Sequence, residues 1–173
     1  DWLDTDVDQI VEDEELNTRE QELLENSSSR ILEVIKRDER LDKIAADIAH
    51  HFPRRGFLGK GMVISVDKYT TVKMYDKVQH YWQEEKKALI KERNVEKDTD
   101  KRQELTKRLN YMDSVEMAVV VSEEGDEVDK FNAQGLDISL HRKKMNEITP
   151  DGKDIEDRFK DKNDNLRLVF VCA

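Results

Sequence analysis

The residues of this sequence best suited to chemistry are hydroxyls and cations that follow apolar runs. Ser65, Lys68 and Thr70 stand at and just after Met62-Val-Ile-Ser-Val66, and Ser122 follows Met117-Ala-Val-Val-Val121. Hydroxyls, ammonium groups and outward-pointing backbone N–H groups at such places donate to phosphate oxygens, which holds a nucleic-acid backbone without reading its sequence. His141-Arg-Lys-Lys144 is a compact basic cluster, and its Arg142 and Lys143 can track a phosphate backbone electrostatically. Each of these residues also has a structural use. Ser65 and Thr70 suit helix capping, Lys68 suits a solvated surface, and the basic cluster can balance acids such as Asp129 and Glu147. Arg54-Arg55 reads as a cap on a preceding helix, whose C-terminus favours positive charge.

Other chemistries find little support. A phosphate loop needs Gly-x-x-x-x-Gly-Lys-Ser/Thr after a strand. Gly56-Phe-Leu-Gly-Lys-Gly61 has the wrong spacing, lacks the hydroxyl and precedes its strand. His50, His51, His80 and His141 are scattered and Cys172 is the single cysteine, so we expect neither a zinc site nor an internal disulfide. Cys172 reads as a small apolar residue, His80 as surface or a partner contact, and Tyr81 and Trp82 as core or interface. Carboxylate pairs carry no catalytic information in a chain with 40 acidic residues. The net charge of −10 counts against independent binding to nucleic acid, without excluding a local basic patch. No apolar run is long enough to span a bilayer and no secretory signal is recognisable. With the lone cysteine, this leads us to expect a cytoplasmic protein that does not engage a membrane.

The elements that must position these residues follow from periodicity. Residues 1–25 are acidic and weakly periodic, with a candidate helix around Glu14–Leu24. Ser27-Ser-Ser29 opens a helix whose apolar face carries Ile31, Val34, Ile35, Leu41, Ile44, Ala45, Ile48 and Phe52, and which Pro53 and Gly56 end. A strand over Met62–Val66 leads to a long helix opened by Asp67 or Thr70, with Met74, Tyr75, Val78, Tyr81, Trp82 and Leu89 as apolar positions. Lys91–Asp98 is a loop or solvated helix extension, and Lys101–Met112 is a further helix. Met117–Val121 is the second strand. Val128–Gln134 is helical and is stopped by Gly135, His141–Ile148 has no defined form, and Ile155–Lys160 is a short helix. Leu166–Cys172 is the third strand. Strands apolar throughout and separated by helices imply an α/β fold with a parallel sheet. The first residue is Asp1, and the last strand runs to the final residues. We therefore expect a piece cut at both ends.

Three stretches in order carry a resemblance: His51-Phe-Pro-Arg-Arg-Gly-Phe-Leu-Gly-Lys-Gly-Met-Val-Ile-Ser-Val-Asp-Lys68 with Tyr75-Asp76, then Met117-Ala-Val-Val-Val-Ser122, then Ile155-Glu-Asp-Arg-Phe-Lys-Asp161 with Leu166–Ala173. Together they resemble the second RecA-like motor domain of type I restriction endonuclease R subunits, a branch of the superfamily 2 helicases. The resemblance spans about residues 41–173. It implies helicase motif IV in the first stretch and an approach to motif V in the third. The fold implied is a partial RecA-like three-layer α/β domain with parallel strands over 56–173, truncated at motif V. An acidic, mainly helical lead-in occupies 1–55. The function implied is part of an ATP-dependent DNA translocase that moves along duplex DNA and, in the intact type I site-specific deoxyribonuclease, leads to cleavage away from the recognition site. ATP and magnesium would serve the intact subunit, with no cofactor expected in this chain alone. The partners implied are duplex DNA and the modification (methyltransferase) and specificity subunits. Departures from the family pattern are the missing phosphate loop, Asp-Glu-x-His-type metal motif, arginine finger and nuclease carboxylates with their Gln-x-Lys element.

Two other classes compete. One is a non-catalytic acidic α/β module that docks other proteins. The other is a flavodoxin-like regulatory domain, for which strand-end aspartates are not placed as phosphoacceptor chemistry needs.

Overall fold

A computed structural model describes residues 29–56 and 59–172. Among them the chain forms three strands and a set of helices: α1 (Asp38–His51), β1 (Gly61–Ser65), α2 (Lys68–Val95), α3 (Thr99–Ser114), β2 (Glu116–Val120), α4 (Glu127–Ala133), α5 (Ser139–Met145), α6 (Ile155–Lys160) and β3 (Leu166–Cys172). The strands form one parallel sheet in the order β1-β3-β2. Ser65 lies level with Cys172, and Val120 with Val171, so all three strands end at the same edge. β3 is central and buries Leu166, Leu168, Val169 and Phe170, as a strand covered on both faces must.

One face of the sheet carries the main core. Leu168, Phe170, Met117 and Val119 meet Val72, Met74, Val78 and Trp82 of α2, with Leu41, Ala45 and Ala49 of α1 beyond. Asp67 starts α2: its Oδ1 accepts the Thr70 N–H at 2.6 Å, a side-chain N-cap. The Trp82 indole N–H donates to the Met112 carbonyl at 3.2 Å and ties α2 to α3. Leu89, Leu105 and Leu109 complete that helix pair. The described part of the lead-in therefore shares the core of the sheet instead of standing apart from it. The opposite face is thinner. Ala118, Leu166 and Val169 are covered by Ile155 and Phe159 of α6, while Met62 and Ile64 remain 53% and 65% exposed.

The expected single helix through Ile31–Phe52 is a correction. Residues 29–35 are helical, but the chain leaves the helix at Arg37 (ψ 129°) and restarts at Asp38. The run Lys36-Arg-Asp-Glu-Arg40 places no apolar residue between Ile35 and Leu41, so nothing holds that turn on the core. Lys36 instead pairs with Asp67 at 2.6 Å, and Ile31 and Val34 are exposed. Elsewhere the boundaries shift by a residue or two. α2 runs through most of Lys91–Asp98, and the basic segment of undefined form is mostly the helix α5. The Glu14–Leu24 helix and the Ser27–Ser28 start lie outside the described residues. Among those described, no helix is long and apolar enough to cross a membrane.

Candidate nucleic-acid interface

The edge where the parallel strands end is the side on which open α/β sheets bind ligands. Lys68 is the first residue of α2, and its ammonium lies 3.4 Å from Glu124 in the loop after β2. Glu124 is also 3.4 Å from Lys130, and the two cations, Lys68 first, hold its carboxyl below the usual range. Ser122 is exposed in the same loop. Lys68 and Ser122 thus sit on the connections after β1 and β2, where Glu124 holds Lys68 and Lys130 at the edge.

Ser65 and Thr70 are placed differently. Both are buried, and both line a groove of about 150 Å³ between β1 and the helices before it, walled by Ile35, Arg40, Leu41 and Ile44. The Thr70 N–H is already given to Asp67. Burial opposes ionisation of Asp67, but the Lys36 ammonium and Thr70 outweigh it and hold the carboxyl below its ordinary value. The Asp67 cap is therefore charged at neutral pH, at a helix N-terminus where negative charge is favoured.

Arg142 is committed to the fold. Its Nε and Nη2 donate to Glu127 Oε1 and Oε2 at 2.8 and 2.7 Å, and its Nη1 and Nη2 donate to the carbonyls of Val121 and Ser122 at 3.0 and 3.3 Å. It clamps the strand-end loop between α4 and α5. Its hydrogen bonds to Glu127 depress that carboxyl strongly enough to outweigh desolvation. The acids expected to balance the basic cluster were Asp129 and Glu147. The partners found are Glu127 for Arg142 and Glu116 for Lys144, the latter at 3.5 Å. Such pairs join separate elements, and no local spacing announces them. Lys143 is exposed in an open groove with Lys144, Arg158 and Glu116.

Arg54 caps α1 as its position implies: Nη1 donates to the His50 carbonyl at 2.5 Å, and Nη2 pairs with Glu85. Lys60, the lysine of the glycine-rich segment, donates to the Arg158 carbonyl at 2.6 Å at the opposite end of the strands. It is unavailable to a nucleotide at the strand-end edge. Among the described residues no group of three His, Cys, Asp or Glu side chains can hold a metal ion. Trp82 and Tyr81 lie in or against the core, and Cys172 packs against it.

No family model, curated protein or solved structure matches this chain.

Proposed function

We propose that the chain is part of the second RecA-like motor domain of a type I restriction endonuclease R subunit. In this reading it supplies DNA grip to an ATP-driven translocase. The observation that carries the reading is the parallel β1-β3-β2 sheet, with Lys68 after β1 and Ser122 after β2 at its C-terminal edge. Ser65 marks the end of β1 beneath them. A motor of this class moves when a cleft between two such domains opens and closes on nucleotide, and strand-end loops keep hold of phosphates as it does so.

Lys60 is engaged elsewhere, and the glycine-rich segment precedes its strand. In this reading ATP and magnesium serve the intact subunit, and the chain alone is expected to turn over no ATP. The gene on either side tests the assignment. A phosphate loop upstream and a Thr-Gly-Phe-Asp-like segment just after Ala173 are expected, and their absence would remove it.

A second reading, an interaction module without chemistry, is favoured by one observation. Met62 stands exposed beside Val171 and Phe159 on the thinly covered sheet face, around a cavity of about 350 Å³, and Ile64 is exposed two residues further along β1. A partner that buries this face would act as the second helical layer does in a three-layer fold.

A further inference from the structure

We propose that the cleft between the last turn of α2 and the outer face of α3 is a separate phosphate-binding site that grips the backbone of duplex DNA. The choice of DNA as the polyanion rests on the motor reading. The cleft itself rests on the residues that line it.

Arg93 comes from the end of α2, and Thr99, Arg102, Gln103, Thr106 and Lys107 come from α3. They enclose an open cleft of about 590 Å³. On α3 these positions recur every three or four residues and so form one face. The core-facing side of the same helix carries Leu105, Leu109 and Met112. Among the described residues no carboxylate lines the cleft. Among the described residues Arg93 has only the Asn94 side chain, at 3.4 Å, and neither Arg102 nor Lys107 has a carboxylate partner. Cations just outside it do: Arg108 pairs with Glu104 at 2.8 Å, and Lys86 pairs with Asp113. Cations and neutral donors with no competing acid are what a phosphate backbone requires.

The charge distribution favours the same site. Eleven of the 40 acidic residues and one of the 30 basic residues lie in 1–26, so the whole net charge of −10 resides there. The remaining chain is balanced, and within it residues 86–108 carry nine basic and five acidic residues. The end of the α2–α3 hairpin is thus a local positive pole on a neutral body, and such a pole draws polyanions.

Dimensions agree too. The donor face of α3 runs along about 12 Å of helix, over which one DNA strand presents about three charges. From Lys68 to Arg93 along α2 is about 37 Å, close to the roughly 34–36 Å of one duplex turn. The cleft and the strand-end edge can therefore touch a single duplex.

The test is a titration of the 173-residue chain with labelled duplex DNA over a range of salt, read by fluorescence anisotropy, with a poly-glutamate peptide as a second ligand. Arg102→Gln with Lys107→Gln should lower the slope of log affinity against log salt by about 1.8, because each lost phosphate contact removes about 0.9. Lys43→Gln with Lys162→Gln, which removes the same charge at exposed positions elsewhere, should leave the slope unchanged. An unaltered slope in the cleft variant would overturn the site and leave the strand-end reading, with Lys68 and Ser122 intact, to its own test. Binding of poly-glutamate that depends on Arg102 and Lys107, without binding of duplex, would overturn the choice of DNA.

Discussion

The guanidinium of Arg142 meets the carboxylate of Glu127 through two parallel hydrogen bonds, of 2.8 and 2.7 Å, across the gap between α4 and α5. The same guanidinium takes the carbonyls at the end of β2, so one side chain fixes the loop that presents Ser122. A cation used this way holds the strand-end edge in shape.

Replacing Arg142 with glutamine should therefore destabilise the chain, by roughly 2–4 kcal/mol, since it strands Glu127 and the Val121 carbonyl in a largely buried place. Urea unfolding followed by circular dichroism measures this. Arg142→Gln with unchanged stability would mean that the clamp contributes nothing and that the side chain is free for phosphate.

Gly61 opens β1 where Phe52 crosses it. A Cβ there would lie 2.7 Å from the Phe52 ring and 3.1 Å from a Leu168 methyl. Gly61→Ala should cost about 1–3 kcal/mol through overpacking. Adding Phe52→Leu to Gly61→Ala should recover part of the loss. A single variant as stable as the parent would show that the turn Phe52–Arg54 does not press on the strand.

Burial against α2 lowers the His141 pKa from its ordinary value, Lys144 adds to this, and Asp137 opposes it. Its ring stands edge-on to Tyr75 at 4.7 Å. The unfolded chain then takes up this proton at higher pH than the folded one. His141 therefore contributes a loss of stability as pH falls below about 6.5 towards its depressed folded value. Thermal unfolding between about pH 5 and 7 should depend less on pH in His141→Phe, which keeps the ring contact. An identical pH dependence in the two proteins would exclude His141 as a source of it.

Much of the fold is legible in the sequence because the signals are local. β-branched runs mark β1, β2 and β3. Asp67 before Thr70 marks a cap, and Gly135 adopts φ 71° just past α4, where it stops the helix. What is not legible depends on distant pairs. The insertion of β3 between β1 and β2 is a tertiary choice. So is the departure at Arg37, where Lys36 turns to Asp67. At the charged end of α2, loop and solvated helix extension stay open in the sequence because polar residues hide helical periodicity; no glycine or proline interrupts Lys68–Val95, and the helix runs on. At the candidate interface, sequence position located Lys68 and Ser122 at strand ends. It could not show that Ser65 and Thr70 lie in a groove or that Arg142 is held by Glu127.

The central claim is that the strand-end edge grips duplex DNA within an ATP-driven motor. DNA-stimulated and basal ATP hydrolysis by the intact subunit, compared for the parent and for Ser65→Ala, Lys68→Ala and Ser122→Ala, tests it most directly. Basal hydrolysis should stay close to that of the parent. For Lys68→Ala, the duplex concentration needed for half-maximal stimulation should rise roughly tenfold, the loss expected for one charge-assisted contact, with a smaller rise for Ser122→Ala and none for the buried Ser65→Ala. Stimulation identical to the parent's in all three variants would contradict it and leave these residues as caps and surface.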